Sequence, residues 1–227
     1  MTRKKKKISI LGCGWVGNAL KVKLESIGDE VYCLSRDVKM NTFLGFYACD
    51  TLIIAIPPSD RYLDVIDDVY FYMFLNKAFN PQVILLSSIS FYDDKKIIIG
   101  AEKLAKLKNS DTVILRLGGL MGYDRIAGKY TAGKTIENTP TNYVHRDDVV
   151  GIIESIIEKR VKNKTFNVVA PIQSTKKEIY IQNASSFGFE KTSFKGLSNK
   201  TKSLSSEILC KVLGYEFVKK DVKNFWS

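Results

Sequence analysis

The sequence predicts an α/β fold in which helices cover both faces of a doubly wound parallel sheet. Apolar runs typical of buried strands alternate with segments of helical periodicity along most of the chain. The first of these runs leads into three closely spaced glycines, and the glycines lead into a helical pattern. Hydrophobic residues make up 45% of the 227 residues, which is enough to fill the core of such a fold.

The predicted elements follow one another along the chain with short connections. Strands are predicted at residues 8–11, 30–34, 51–56, 83–88, 112–117 and 166–170. A first helix presents Val16, Leu20 and Leu24 on one face, and further helices are predicted at residues 61–79, 97–108, 147–160, 175–187 and 204–213.

Two intervals differ from this alternation. Residues 36–50 have room for one short apolar helix, around residues 42–48, and little room for a third strand. The glycines of residues 118–122 predict an irregular loop. We expect a single domain over residues 1–227, in which the residues after about 171 contribute most of a small C-terminal substrate lobe.

The first glycine turn has the spacing of a dinucleotide-binding fingerprint. Gly12, Gly14 and Gly17 occupy G-x-G-x-x-G positions between a strand and a helix. Gly12 permits a tight turn, Gly14 leaves room for a pyrophosphate beside the backbone, and Gly17 lets the helix approach the strand. The helix N-terminus then offers unpaired N–H groups to the phosphates. The sequence therefore predicts a Rossmann-like nucleotide site, and the alternative is a glycine-rich turn that binds no ligand.

The end of the second strand indicates which dinucleotide fits. NAD-binding versions of this fold carry an acidic residue there, which holds the ribose 2′-hydroxyl. Here the strand ends Leu34-Ser35-Arg36, and a hydroxyl followed by a guanidinium suits a 2′-phosphate, so NADP is favoured. NAD is the alternative, because a strand one residue longer would bring Asp37 to the ribose. A separate alternative for Arg36 is an exposed surface arginine that binds no ligand.

Charge and cysteine content indicate which kinds of partner the protein binds and in which cellular compartment it lies. The formal net charge is +11, but most of the excess is lysine scattered along the chain, and no nucleic-acid motif accompanies it. The chain shows neither a secretory signal nor an apolar segment long enough to cross a bilayer. The cysteines show no C-x-x-C spacing and there is one histidine, so no metal site is expected. We expect free thiols at Cys13, Cys33, Cys49 and Cys210, and a cytoplasmic protein that binds neither nucleic acid nor membrane.

Several segments, in the right order, resemble those of the atypical extended short-chain dehydrogenases/reductases, which are relatives of NAD-dependent nucleotide-sugar epimerases and dehydratases. The similar segments lie between about residues 8 and 170 and are Gly12-Cys-Gly-Trp-Val-Gly17, Ile54-Ala55-Ile56-Pro57-Pro58, Leu86-Ser87-Ser88-Ile89-Ser90-Phe91-Tyr92, Leu115-Arg116-Leu117-Gly118-Gly119-Leu120-Met121-Gly122 and Asn142-Tyr-Val-His145-Arg-Asp-Asp148-Val149. The resemblance implies that the cofactor lies beside two regions of the chain, the first turn and the end of a central strand. The residues so implied are Trp15, Val16, Ile56, Pro57 and Pro58.

The chain departs from this family at the catalytic pair, Tyr-x-x-x-Lys. Aligned on Ala101-Glu102, the tyrosine position holds Asp94 and the lysine position holds Ile98. The atypical branch often lacks the pair, so the resemblance implies the fold and the cofactor class without the usual mechanism.

Ser88 and Tyr92 are the candidate catalytic residues. Ser88 ends a strand where the resemblance places a hydroxyl that bonds the substrate, although a serine there could also cap a turn. Tyr92 carries an exchangeable proton and could act as a general acid, or it could be an aromatic residue packed on the loop. Asp93 and Asp94 could also do acid–base work, but we expect them to cap the following helix.

Arg125 and His145 are the candidate substrate-binding residues. Relatives place an arginine near Arg125 to hold an anionic substrate group. In the family, the His-x-x-Asp segment fixes a loop through a hydrogen bond, so His145 is either structural or in contact with the substrate. The expected partner is an unidentified small molecule, and the sequence leaves the oligomeric state open.

Two functions of different classes follow from these features. The first is an NAD(P)-dependent oxidoreductase or epimerase-like enzyme, which the retained Ser88 favours. The alternative is a non-catalytic NADP-binding regulator or redox sensor, which the missing Tyr-x-x-x-Lys pair favours.

Overall fold

The structure is a computed structural model that describes residues 4–35, 44–76, 80–198 and 202–226. Its strands are β1 (Lys7–Leu11), β2 (Glu30–Leu34), β3 (Thr51–Ile54), β4 (Gln82–Ser88), β5 (Val113–Leu117), β6 (Gly119–Met121), β7 (Thr135–Asn138), β8 (Tyr143–His145), β9 (Thr165–Val168) and β10 (Ser193–Leu197). Its helices are α1 (Trp15–Ser26), α2 (Tyr62–Leu75), α3 (Lys96–Lys108), α4 (Arg146–Lys159), α5 (Lys176–Phe187) and α6 (Glu207–Leu213). Within these ranges, no helix has the length and apolar run that a membrane span requires.

The main sheet has six parallel strands in the order β2-β1-β3-β4-β5-β9. Strand β1 pairs with β2 on one side and with β3 on the other, so the direction of winding reverses at β1. The predicted α/β fold with a doubly wound parallel sheet is thereby confirmed. In the described residues β2 lies at the edge of the sheet, which agrees with the short interval after it. Folds of this kind bind ligands at the carboxyl ends of the strands where the order reverses.

Burial explains why the apolar runs form the centre of the sheet. All four residues of β3 are buried, and so are the last four of β1. Strands covered on both faces need such continuous apolar runs instead of alternation. Helix α1 buries Val16, Leu20 and Leu24, the face that the sequence predicted.

The segment after β5 is more regular than the sequence predicted. Where an irregular glycine loop was expected, at residues 118–122, β6 forms and pairs in parallel with β8. Further along the chain, β7 pairs in parallel with β10. Strands β6, β7, β8 and β10 lack the continuous apolar run of four residues that identified β3, so their sequences alone do not mark them as strands. The short helix expected around residues 42–48 is a 3-10 turn at Leu44–Tyr47, and residues 42 and 43 lie outside the described ranges.

The chain forms two compact units. The first comprises Met1–Arg116 and Val150–Phe166, and the second comprises Leu117–Val149 and Asn167–Ser227. Each unit has an apolar cluster of its own. That a single domain carries a small C-terminal substrate lobe stays a prediction.

Candidate functional site

The glycine turn after β1 is closed towards the sheet and open on its other side. Gly12 has a φ of +113°, and a Cβ there would lie 2.5 Å from the carbonyl oxygen of Ala55, which follows β3. A Cβ on Gly17 would overlap the carbonyl oxygen of Gly12. A Cβ on Gly14 would meet nothing within 4 Å. The open position is therefore the one at which the fingerprint requires space for a pyrophosphate.

Helix α1 begins directly after the open glycine. Gly14 is its N-cap residue, no side chain caps this fully described helix, and its first turn contains no acidic residue. Val16 is buried and Trp15 is half-exposed. The backbone N–H groups and the positive end of the helix dipole are therefore oriented to stabilise an anion.

The end of β2 borders the turn on one side. The N–H of Gly12 donates to the carbonyl oxygen of Leu34 over 2.8 Å, and Ser35 follows as an exposed residue. Arg36 and Asp37 lie outside the described residues. The structure therefore places Ser35 one residue beyond the contact with the glycine turn.

The end of β3 borders the turn on the other side. The N–H of Ala55 donates to the carbonyl oxygen of Leu11 over 2.7 Å. Ile56 is buried, whereas Pro57 and Pro58 are exposed. Residues 56–58 therefore directly follow the point at which the chain after β3 contacts the glycine turn.

The prediction of free thiols is wrong for two of the four cysteines. Cys13 and Cys33 form a disulfide with their Cα atoms 5.7 Å apart. They are separated by 20 positions in the sequence, but the parallel pairing of β1 with β2 sets Cys33 opposite Ile10, close to the turn that carries Cys13. The spacing of a local C-x-x-C motif cannot reveal such a pair. Cys49 and Cys210 are free.

The two candidate catalytic residues lie on one turn at the end of β4. Ser88 is the last residue of the strand, and a 3-10 turn, Ile89–Asp93, carries Tyr92. The Oγ of Ser88 accepts a hydrogen bond from the N–H of Ser90 over 3.1 Å and donates to its Oγ over 3.2 Å. Ser88 thus caps the turn, and it is half-exposed at the edge where such folds bind ligands.

Sequence reasoning missed a charged cluster beside Tyr92. Arg116 on β5 forms a bidentate ion pair with the buried Glu102 on α3, with N–O distances of 2.7 and 3.1 Å. The same guanidinium donates to the Tyr92 hydroxyl over 3.1 Å and lies 3.3 Å from the centre of the Phe91 ring. Ser87 donates to Glu102 over 2.6 Å. The cluster fixes the 3-10 turn after β4 against β5 and α3. The resemblance had singled out the segments that carry Tyr92 and Arg116, but no pattern within either segment shows that the two residues meet.

The positions of the missing catalytic pair have other roles. Ile98 is buried in the apolar cluster of the first unit. Asp94 has a left-handed conformation with φ 55° at the end of the 3-10 turn. The prediction that Asp93 and Asp94 cap the next helix is wrong, because α3 has Lys95 as its N-cap residue and no side-chain cap. The 3-10 turn extends to Asp93 and thereby uses the residues that would have preceded the helix.

In the second unit, His145 is buried and accepts a hydrogen bond on its ring. Its side chain ends β8, and the N–H of Asp147 donates to its Nδ1 over 3.2 Å. Burial lowers the pKa of His145 below its ordinary value near 6.5, which favours the neutral ring. Because Nδ1 accepts the hydrogen bond from Asp147, the proton of the neutral ring is assigned to Nε2. A Cβ on Gly122 would overlap that Nε2. His145 therefore needs a glycine at position 122.

The carboxylate of Asp148 anchors the C-terminal segment. It accepts hydrogen bonds from the Tyr215 hydroxyl over 3.0 Å and from the N–H groups of Val218 and Lys219 over 2.7 and 3.0 Å. Asp148, the last residue of the His-x-x-Asp segment, therefore holds the chain around residues 215–219 in place.

A cavity of about 240 Å³ lies beside His145. Its lining combines aromatic rings with a histidine and a lysine, namely Tyr123, His145, Phe187, Lys219, Phe225 and Trp226. The Nε1 of Trp226 donates to the carbonyl oxygen of Arg125 over 3.1 Å. Arg125 therefore contacts, through its carbonyl oxygen, one of the residues that line this cavity.

Comparison with known proteins identifies several that are similar to this chain over more than nine-tenths of its length. No protein-family model matches the chain. Protein YeeZ of Escherichia coli (strain K12) is 25% identical over an alignment of length 264, which covers 93% of this chain and 96% of that protein. A proposed NAD-dependent epimerase/dehydratase from Methylobacillus flagellatus has a TM-score of 0.76 at 20% identity, with 98% and 96% of the two chains covered. A short-chain dehydrogenase/reductase superfamily protein from Agrobacterium tumefaciens, solved with bound NAD, has a TM-score of 0.75 at 12% identity, with 92% of each chain covered.

These similarities extend over nearly the full length of each chain. They confirm, at the level of the fold, the resemblance that the sequence motifs predicted. The chain therefore has the Rossmann-like fold of the NAD-dependent epimerase/dehydratase and short-chain dehydrogenase/reductase proteins.

Proposed function

We propose that the protein is an NAD(P)-binding member of the atypical extended short-chain dehydrogenases/reductases, acting as an oxidoreductase or epimerase-like enzyme on a small molecule. The observation that carries the proposal is the glycine turn, which is closed at Gly12 and Gly17 and open at Gly14. It lies where the strand order reverses, in front of an uncapped helix. The bound NAD of the Agrobacterium tumefaciens protein supports the same class of cofactor.

The residues present fit a dinucleotide. The pyrophosphate would bind at Gly14 and at the N-terminus of α1, where Trp15 and Val16 begin the helix. Ser35 and Arg36 follow β2, and a hydroxyl with a guanidinium favours the 2′-phosphate of NADP over NAD. We therefore propose NADP as the cofactor, with NAD as the alternative.

The turn after β4 would supply the side chains that act on the substrate. A bound dinucleotide supplies the hydride acceptor or donor. Ser88 offers a hydroxyl to a substrate hydroxyl or carbonyl, and Tyr92 offers a phenol proton as general acid. Arg116 holds the phenol oxygen in place from β5. Residues 56–58, beyond β3, would border the cofactor.

The second unit would bind the substrate through Arg125 and His145. Neutral His145 can donate a hydrogen bond from Nε2, and Arg125 can pair with an anionic group. The proposed partner is a small molecule. We propose no nucleic-acid or membrane partner, and a cytoplasmic location.

A second candidate function is a regulator or sensor that binds NADP without turnover. Ile98 favours it, because this residue occupies the lysine position of the catalytic pair and is buried in the core. A positioned acid–base group typically contributes ~10²–10⁴-fold to the rate of a reaction.

Dinucleotide titration followed by a substrate panel separates these functions. Tryptophan fluorescence, to which Trp15 in the glycine turn contributes, is recorded during titration with NADPH and then with NADH, and saturable binding with a preference for NADPH is expected. NADPH consumption is then measured with nucleotide sugars, ketones and aldehydes. Turnover supports the enzyme, tight binding without turnover supports the regulator, and failure to bind either dinucleotide contradicts both functions.

A further inference from the structure

We propose that Cys13 and Cys33 form a reversible redox site that couples the thiol–disulfide state of the protein to its affinity for the dinucleotide. The disulfide form is the one that binds more tightly. This inference rests on the proposed nucleotide site, because Cys13 lies inside the glycine turn.

The disulfide joins two segments that would each hold a phosphate group of the cofactor. The glycine turn would hold the pyrophosphate, and the end of β2 would hold the 2′-phosphate. Cys13 stands between Gly12 and Gly14, immediately before the N-terminus of α1. Cys33 is in β2, two residues before Ser35. A covalent link here fixes the pyrophosphate turn relative to the strand end that would face the 2′-phosphate.

Both sulfur atoms belong to half-exposed residues, so small thiols and disulfides can reach the pair. The separation of 5.7 Å between the Cα atoms lies within the usual range for disulfides. The positive end of α1 also stabilises an anionic sulfur at the turn. Cys49 differs, because it is buried and burial raises the pKa of its thiol to about 11.

The disulfide is compatible with an open nucleotide site. With the bond formed, a Cβ at Gly14 would still meet nothing within 4 Å, and the hydrogen bond from Gly12 to Leu34 is in place at 2.8 Å. Reduction removes the cross-link from a turn with three glycines, the residue type with the greatest backbone freedom. Binding to the reduced form must then order this turn, which weakens the affinity.

The redox step is a thiol–disulfide exchange with a low-molecular-weight disulfide. One protein thiolate attacks the small disulfide, forms a mixed disulfide and releases one small thiolate. The second protein thiolate then attacks the protein sulfur of the mixed disulfide and releases the other. Two protein thiols are oxidised, one small disulfide is reduced to two thiols, and the protons of the protein thiols pass to solvent and to the released thiolates.

Coupling between the two events must be reciprocal. Coupled sites typically change one another's affinity about 5–150-fold. We therefore expect the dissociation constant for NADPH to be at least fivefold lower in the disulfide form than in the reduced form. By linkage, saturating NADPH must shift the thiol–disulfide equilibrium towards the disulfide by the same factor.

The first measurement counts thiols and needs no cofactor. The full-length protein is equilibrated with oxidised or reduced glutathione, quenched in acid, unfolded, alkylated and weighed by mass spectrometry. Alkylation of Cys49 and Cys210 alone is expected in the oxidised sample, and alkylation of all four cysteines in the reduced sample. Four alkylated cysteines in both samples would overturn the proposal.

The second measurement compares NADPH affinity between redox forms. Wild type and Cys210→Ser, the matched control, should both bind at least fivefold more tightly when oxidised. Cys33→Ser and Cys13→Ser should bind like reduced wild type in either buffer. Cys33→Ser lies outside the turn, and reduced wild type carries no substitution, so the comparison holds even if Cys13→Ser unfolds.

The outcomes separate this inference from the proposed function. Equal, saturable binding by the oxidised and reduced forms would overturn the coupling and leave the nucleotide site standing. Absence of dinucleotide binding in both forms would overturn the proposed function together with the coupling. A shift of the glutathione equilibrium by NADPH that matches the ratio of affinities supports the coupling directly.

Discussion

At the scale of single residues, the buried His145 makes stability depend on pH. Burial is the largest influence and lowers its pKa; Asp147 and Asp148 raise it, while Lys219 and Arg146 lower it further. Between the lowered pKa and about 6.5, the unfolded chain binds more protons than the folded chain. The contribution of His145 to stability is therefore complete above that window and falls as the pH is lowered through it.

Thermal unfolding at about pH 7.5 and about pH 5.5 tests this sign. Wild type should lose more of its melting temperature on acidification than His145→Gln, which cannot titrate at this position. Equal losses in the two proteins would mean that His145 titrates alike in the folded and unfolded chains.

Arg36 should distinguish the two dinucleotides. Arg36→Ala should weaken NADPH binding by about 1.5–3 kcal/mol, the range for hydrogen bonds to charged groups, and should leave NADH binding nearly unchanged. Isothermal titration with both cofactors measures this difference. Equal weakening of both would show that Arg36 does not contact the 2′-phosphate, and a wild-type preference for NADH would point to Asp37 instead.

Tyr92 should matter for turnover and not for binding. Tyr92→Phe removes the phenol proton but keeps the ring beside Phe91, so any hydride transfer should slow at least ~10-fold with unchanged NADPH affinity. Steady-state kinetics on the first active substrate provides the test. Full activity would leave Ser88, water or a substrate group as the acid.

At the scale of elements, one buried ion pair links α3 to β5. Arg116→Met would leave the carboxylate of Glu102, 4% exposed, without its charged partner. Breaking such a pair typically costs about 3–5 kcal/mol of the free energy of unfolding. The matched control is Lys162→Met, because the Lys162–Asp111 pair is about half-exposed and should contribute only about 0–1 kcal/mol.

Urea denaturation of both variants measures these two costs. A loss for Arg116→Met no larger than that for Lys162→Met would show that the cluster does not hold β5 and α3 together. The double variant Glu102→Leu/Arg116→Met should recover part of the loss, since it removes the unpaired charge.

Helices and strands were predicted correctly where the pattern of apolar residues within the segment itself identifies them. The unbroken apolar runs of β1, β3 and β4 identify strands buried on both faces, and the period of Val16, Leu20 and Leu24 identifies α1. Strands β6, β7, β8 and β10 were missed because pairing with a distant partner, not a pattern within the segment, defines them.

At the scale of the whole molecule, the nucleotide turn was predictable because its three glycines and its helix are contiguous. The Cys13–Cys33 disulfide and the Arg116–Glu102 pair were not, because each joins residues that are distant in the sequence and meet only in the folded chain. The lining of the cavity beside His145 was not predictable for the same reason. Long-range contacts of this kind leave no spacing signature in one sequence.

The most direct test of the nucleotide site is NADPH titration of wild type and Gly14→Val. Gly14 has an extended backbone, φ −79° and ψ −157°, and open space around it, so valine should be accommodated with the melting temperature nearly unchanged. The added side chain would fill the space that the pyrophosphate needs. We predict saturable NADPH binding by wild type and none by Gly14→Val, and equal affinity in the two folded proteins would contradict a dinucleotide site at this turn.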